Sequence, residues 1–388
     1  MSWAEGRTGS RRDGSGDDER TGAENRPLTR RITFRTLRRI VTALLGVLLL
    51  AAVAAWCASA DVRYVVRAGI EEARILLRRK SIAALVADPA TDPATKAKLE
   101  LVLAARAFAA DSLGLRALET YTTYSKVDRD TLVLVLSASR YDRLAEYTWT
   151  YPVVGRVPYK GFFDLEGVRK ETRRLERIGM DTYVRPSSAF STLGYFQDPL
   201  LSTVLHEDSV EIVGTVIHEI LHNTVWSAGH VAFNESFANF VGYRGAEAFF
   251  RARGDQRSAA RAAARWRDEL RLGRFYADLA SRLEALYAPG IAGPTLREER
   301  LRIFRLAQSD LAGAAGRALE TVDGRALAER PLNNAAVIAQ RFYRTDLEVF
   351  DRLLDSHRGA LRAAVADIRA RVGAGGDPWA ALRTARAP

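Results

Sequence analysis

Two of the chain's five histidines lie four residues apart with a glutamate between them, in Val216-Ile217-His218-Glu219-Ile220-Leu221-His222. On an α-helix, residues four apart project from one face, one turn from each other. Both imidazoles then reach a single Zn²⁺, an ion that takes nitrogen ligands in a tetrahedral shell. Glu219, next to the first histidine, is placed to accept a proton from a water polarised by that ion, the general-base role of a zinc peptidase. This H-E-x-x-H run therefore demands a helix, a metal-facing side on it and a third ligand from elsewhere. Histidines that merely pack or face solvent are the plainer alternative, and the scarcity of histidine argues against it.

The flanks read as a helix. Asp208 followed three residues later by Glu211 is a capping-box start, and Val210, Val213, Ile217 and Leu221 form an apolar stripe. Gly214, one turn before His218, leaves room on the metal side for a strand or substrate. Two residues compete as third ligand. His230 is the more familiar zinc ligand, but the long H-E-x-x-H-x-x-G-x-x-H pattern needs Gly and His where Val225 and Ala228 stand. Glu235, in Phe233-Asn234-Glu235-Ser236-Phe237-Ala238-Asn239, follows a turn-forming segment containing Trp226, Ser227 and Gly229. Asn234 reads as the N-cap, with Glu235 in the first turn of the next helix. The result is a His₂Glu site with an open position. Asn239, one turn on, is placed to orient a histidine through its amide oxygen. The alternative makes Glu235 an ordinary first-turn acid favoured by the helix dipole.

Residues 1–39 are polar and end in Arg30, Arg31, Arg35, Arg38 and Arg39, which reads as a disordered basic cytoplasmic tail. Ile40 to Ala60 follows without a charge, long enough at 1.5 Å per residue to cross a bilayer. The expectation is a single-pass anchor, N-terminus inside, with everything after Asp61 extracytoplasmic. A cleaved signal peptide is the rival, but Trp56-Cys57 makes a poor cleavage site. Cys57 is the only cysteine, so the domain beyond has no internal disulfide.

Residues 61–130 read as a helical stalk and packing helices, one from Val62 to Ala87 and one from about Thr95 to Asp111. The period then changes. Thr131–Ser137 and Val153–Phe163 read as strands, Asp164 caps a helix through Ile178 that Gly179 closes, and Asp181–Val184 resumes as a strand. A small sheet thus precedes the metal helix. Between them lies Ser191-Thr192-Leu193-Gly194-Tyr195-Phe196, where Thr192, Gly194 and Tyr195 are candidates to pair with extended substrate. An ordinary loop is as good a reading of that stretch.

The residues Val157-Pro158-Tyr159-Lys160-Gly161-Phe162-Phe163-Asp164, Ser191 to Gly194, Asp198 to Thr203, His218 to His222, Phe233 to Ala238 and Leu332-Asn333-Asn334-Ala335 resemble a bacterial family of membrane-associated zinc aminopeptidases. The resemblance spans roughly 60–350 and implies a zincin-like catalytic domain. It also implies His218, His222 and Glu235 as zinc ligands and Glu219 as base. Members often carry a lipoprotein cysteine, which Trp56 spoils here, and a cysteine pair where this chain has Thr150 and Arg156.

After Gly245 the chain is rich in Ala and Arg and helical, with Asn333-Asn334 preceding a helix that carries Phe342 and Tyr343. Tyr343 is a candidate oxyanion stabiliser, against the plainer reading of a half-buried core tyrosine. His206 and His357 read as surface or structural, and 371–388 as a frayed tail. The net charge of +11 comes from arginines interleaved with acids, six lysines aside, with no dense basic stripe. Nucleic acid is therefore not an expected partner; peptide and, through residues 40–60, a lipid bilayer are.

The expected protein is α+β and predominantly helical, with a zincin-like core over 131–250 and a helical lobe over 251–388. Its expected chemistry is Zn²⁺-dependent peptide hydrolysis. A membrane-tethered, non-catalytic peptide-binding adaptor with the same metal site is the competing reading.

Overall fold

The computed structural model describes residues 34–58, 60–127, 133–151, 155–187, 199–288 and 290–383. The chain divides into two units, residues 1–64 and 65–388. All of the charge-free run up to Ala58 lies in helix α1 (Phe34–Ala58), which starts before Ile40 and takes in Arg35, Arg38 and Arg39, and Ala60 opens the next helix. The expected crossing over 40–60 is not borne out. Among the described residues no helix is long and apolar enough to cross a membrane.

The helix expected from Val62 to Ala87 is two helices. α2 (Ala60–Leu77) stops before Lys80–Ser81, which pairs antiparallel with Thr123–Ser125. Ser81 then caps a new turn, Ile82–Ala87, its hydroxyl accepting from the Ala84 N–H. Leu200–Leu201 adds a parallel strand to Thr123–Ser125. α3 (Pro93–Asp111) begins where the Asp92 carboxylate accepts from Thr95 N–H at 2.8 Å, and it buries Leu99, Val102, Ala105 and Ala109.

β1 (Val133–Arg140) is the centre of an antiparallel sheet, between β2 (Tyr159–Phe162) and β3 (Met180–Ser187). Residues 131 and 132 of the expected first strand lie outside the described residues. The expected strand from Val153 is broken at Pro158, which has no N–H to give a ladder. Its first part, Gly155–Val157, pairs instead with Trp149–Tyr151, and Thr150 faces Arg156 directly across the pair. The two positions at which the resembled family often has cysteines are thus cross-strand partners. α4 (Leu165–Arg177) joins β2 to β3 as expected. Asp164 accepts from Gly167 N–H at 2.6 Å, and Gly179 closes the helix at φ +76°, a left-handed conformation costly for other residues.

α5 (Ser209–His222) carries the H-E-x-x-H run and is capped by Asp208, which accepts from Val210 and Glu211 N–H. α6 (Val231–Ala252) packs along it, and the approach is set by glycines. A Cβ on Gly242 would lie 2.8 Å from Gly214 O, and one on Gly245 would lie 2.9 Å from Ile217 Cδ1. Gly214 itself faces Gly242 and Tyr243, so the room it leaves is filled by a helix rather than by a strand or substrate.

α7 (Gln256–Tyr287) and α8 (Gly293–Ala312) build the C-terminal region with α9 (Asn334–Phe342), α10 (Glu348–Ser356) and α11 (Leu361–Gly373). α9 lies across the sheet. Successive strand residues alternate faces, so Asp181, Tyr183 and Arg185 share one, and α9 meets it. Asn334 N–H donates to Asp181 at 2.9 Å, Asn333 Nδ2 to Thr182 O at 2.9 Å and Gln340 Nε2 to Tyr183 Oη at 3.4 Å. The three-stranded sheet and the C-terminal helices therefore share this seam. The main core is aromatic: Phe233, Phe237, Phe240, Phe350 and Trp266 are fully buried. The end of the chain joins it. α12 (Pro378–Arg383) buries Pro378 and Leu382, and Trp379 meets Phe233 edge-on at 5.3 Å. The expected fraying from 371 is thus corrected through Arg383, because an indole finds aromatic partners. The architecture is α+β and mostly helical.

Candidate metal centre

Helical spacing puts His218 and His222 on one side of α5, with their rings edge-to-face at 4.9 Å. Glu235 arrives from α6. Its Oε2 lies 3.4 Å from His218 Nε2 and its Oε1 3.8 Å from His222 Nε2. A tetrahedral shell with bonds of about 2.0–2.1 Å sets its donors about 3.3 Å apart. The two nitrogens and the carboxylate are near that spacing, all within 4.8 Å of one another, and the donor set suits zinc. His230 is not in this group. It stands at the N-cap of α6, its Nδ1 3.1 Å from Ser227 Oγ and from Ala228 O.

The start of α6 corrects one expectation. The helix begins at Val231, so Asn234 is inside it and Glu235 lies in its second turn. Asn234 instead staples the connection. Its Oδ1 accepts from Ser227 N–H and its Nδ2 donates to Ser227 O, both at 2.9 Å. With Gly242 and Gly245 further along, this staple fixes how far Glu235 reaches.

The three groups perturb one another. Burial holds the His222 imidazole at about 4 against the Glu235 charge, which leaves it neutral and able to bind a metal. For His218 burial also acts downward, but the hydrogen bond to Glu235 and the Glu219 and Glu235 charges outweigh it and raise its pKa. Burial acts upward on Glu235, yet the hydrogen bond from His218 and the charges of His222, His218 and Arg185 hold it below its ordinary value. A hydrogen bond with the Asn239 side chain also acts upward on His218. His222 differs: its Nδ1 is buried and has no hydrogen-bond partner among the described residues. Trp226, half exposed, lies edge-on to the same ring at 5.5 Å.

A second wall comes from far along the chain. Tyr343 caps the C-terminal end of α9, and α6 holds its backbone. Asn239 Nδ2 donates to Tyr343 O at 3.1 Å, and Ser236 Oγ donates to Phe342 O at 3.3 Å while accepting from Thr345 N–H at 3.0 Å. The next residue, Arg344, forms a buried pair with Glu269 of α7 at 2.7 Å. The phenol meets β3, where Arg185 Nη2 donates to Tyr343 Oη at 2.9 Å. Tyr343 is raised by burial and then by the Glu235 charge; Tyr159 is pushed up to about 12 by the same causes, with Glu219 adding to them. For Arg185 burial acts downward, but the neighbouring Tyr343 and Glu235 hold it fully charged.

The family model described as "Putative aminopeptidase" matches residues 63–373. The chain belongs to that family. No curated protein and no solved structure matches it. In this aminopeptidase family member His218, His222 and Glu235 come together from two helices, Glu219 and Asn239 lie on the same two, and Tyr343 caps a third. Thr192, Gly194 and Tyr195 lie outside the described residues. Sequence reasoning missed Arg185, Tyr159 and Ser236. The Tyr159 stretch carried a family resemblance, and Ser236 adjoins Glu235, but Arg185 had no local signal. Its relevance depends on strand register.

Proposed function

We propose that this chain is a zinc-dependent metallopeptidase that acts as an aminopeptidase. The reading is carried by one observation, the convergence of His218 Nε2, His222 Nε2 and the Glu235 carboxylate beside Glu219. Bound zinc supplies Lewis-acid polarisation of a peptide carbonyl and acidifies water. Glu219 takes the proton from the attacking water and delivers it to the leaving amine. Asn239 orients His218, and the Tyr343 O–H donates to the oxygen on which charge develops.

Glu219→Gln tests the reading, because the amide keeps the shape but cannot accept the proton. Turnover of a free-amine peptide should fall ~10²–10⁴-fold while zinc content stays at one equivalent. A variant with near wild-type turnover would remove Glu219 from the mechanism. N-blocked peptides assayed beside free ones decide between exo- and endopeptidase action.

We propose further that α1 attaches the chain to a lipid surface, with the catalytic unit outside the cytoplasm. Support comes from its exposed Leu44, Leu45, Val47 and Leu50 next to the arginine cluster. Protease added to intact spheroplasts should digest the unit after Asp61, and its survival would overturn this placement.

A further inference from the structure

A phenol oxygen carries one proton and can accept from others, whereas a guanidinium only donates. The 2.9 Å contact between Arg185 Nη2 and Tyr343 Oη therefore runs one way, with the phenol accepting. Its own proton is left for another partner. The same guanidinium lies over the Tyr343 ring, 5.3 Å from its centre, so the ring is held at its face as well as at its oxygen.

The backbone at this position is equally constrained. Ser236 and Asn239, which grip residues 342–345, follow Glu235 by one residue and by one turn on the same helix. Asn239 also hydrogen-bonds His218. Tyr343 is thus tied to the metal-facing group through its main chain and to the sheet through its side chain. Few rotatable bonds remain between the fixed points.

We propose that Arg185 is a positioning residue: it occupies Tyr343 Oη as a donor and so directs the single phenolic proton to the carbonyl oxygen of a bound peptide. The inference rests on the metallopeptidase reading and deepens it. Arg185 needs no contact with substrate. Its effect on turnover passes through Tyr343, which separates it from an arginine that only stabilises the fold; its charge also acts on Glu235, and zinc content reads that second influence separately.

The test is a double-mutant cycle on the zinc-loaded full chain. Tyr343→Phe should lower kcat about 10²-fold, the scale of one lost oxyanion donor. Arg185→Met should lower kcat by a similar factor, with KM within about threefold and zinc content unchanged. The double variant should be no slower than Tyr343→Phe alone, because the arginine has nothing left to position. Arg185→Lys, which keeps a donor but loses the planar face, should recover part of the loss. A second readout needs no turnover: the Kd of a phosphinic peptide analogue, whose charged oxygen mimics the developing one, should weaken in the same non-additive way.

Additive losses, loss of zinc from Arg185→Met, or unchanged kcat and Kd in that variant would overturn the inference and leave the metallopeptidase reading intact. A wild-type chain that holds one equivalent of zinc yet neither hydrolyses peptides nor binds the analogue would overturn both.

Discussion

Gly214 and Gly242 face each other across the α5–α6 contact, yet alanine at the two positions should have opposite effects. A Cβ on Gly242 would sit 2.8 Å from Gly214 O and 3.4 Å from His218 Cβ. Ordinary contact begins near 3.4 Å, so the helices must part by about 0.6 Å, and overpacking of this kind costs about 1–3 kcal/mol. Replacing a mid-helix glycine by alanine returns up to about 1 kcal/mol. With the full propensity gain the net for Gly242→Ala is a loss of up to about 2 kcal/mol, or a Tm lower by up to about 3 °C. A Cβ on Gly214 meets nothing closer than 3.8 Å, so Gly214→Ala keeps the helix-propensity gain and should raise Tm slightly.

The metal site reads the same displacement. Glu235 lies two turns before Gly242 on the same face of α6, at 3.4 and 3.8 Å from the two histidines. Metal sites tolerate about 0.2 Å in ligand distance, so a shift of about 0.6 Å should weaken zinc at least ~10-fold in Gly242→Ala. Thermal unfolding by circular dichroism, metal-free, and competition with a chromophoric chelator measure the two effects separately. Equal destabilisation by both alanines, or unchanged Tm and zinc affinity in Gly242→Ala, would refute the packing argument.

Glu235→Ala should cut zinc affinity at least ~10-fold while His230→Ala leaves it nearly unchanged; the opposite ranking in measured zinc content would sink the assignment. Asp268 is buried and accepts from Glu320 N–H, Thr321 N–H and the Thr321 hydroxyl. Asp268→Ala orphans these donors and should cost about 3–5 kcal/mol in urea denaturation, with a loss below about 1 kcal/mol arguing that the turn simply re-solvates. Hydrogen bonds from Arg267 and Arg271 hold the Glu320 carboxyl at about 2, below its ordinary 4.5. A depressed carboxylate stabilises above its unfolded pKa and loses that contribution as pH falls towards the folded one. The Tm gap between wild type and Glu320→Gln should therefore be full above about pH 5 and narrow towards about pH 2, and a gap that widens on acidification would contradict it.

What could be read from the chain was whatever depends on local spacing. His218 and His222 need only a helix to converge, Asp164 and Gly179 bracket α4 by cap chemistry alone, and Val225 and Ala228 turned attention from His230 to Glu235. What could not be read depends on partners distant in sequence. Arg185 matters because Val135 pairs with it and α9 crosses the face it shares with Tyr183. Asn234 looks like a cap until Ser227 claims its amide, and Gly214 looks like substrate space until Gly242 arrives. Ser81 divided the 62–87 helix by offering a hydroxyl that the apolar periodicity did not weigh. Trp379 was legible only as a lone aromatic in a polar tail, since Phe233 lies far back in the chain.

The hydrogen bond from Asn239 to Tyr343 joins residues 104 positions apart, and this bears on how the protein is made. A ribosome adds about 5–20 residues per second, so the helix bearing Glu235 emerges roughly 5–20 s before the phenol that faces it. During that interval a nascent chain has its metal-facing side chains but neither Tyr343 nor the α9 seam over β3. Trp379 reaches Phe233 later still, 146 positions after it in the chain. The side chains that face one another at this centre are therefore made in two instalments, and the hydrogen bonds from Ser236 and Asn239 join them only after α9 has followed α6.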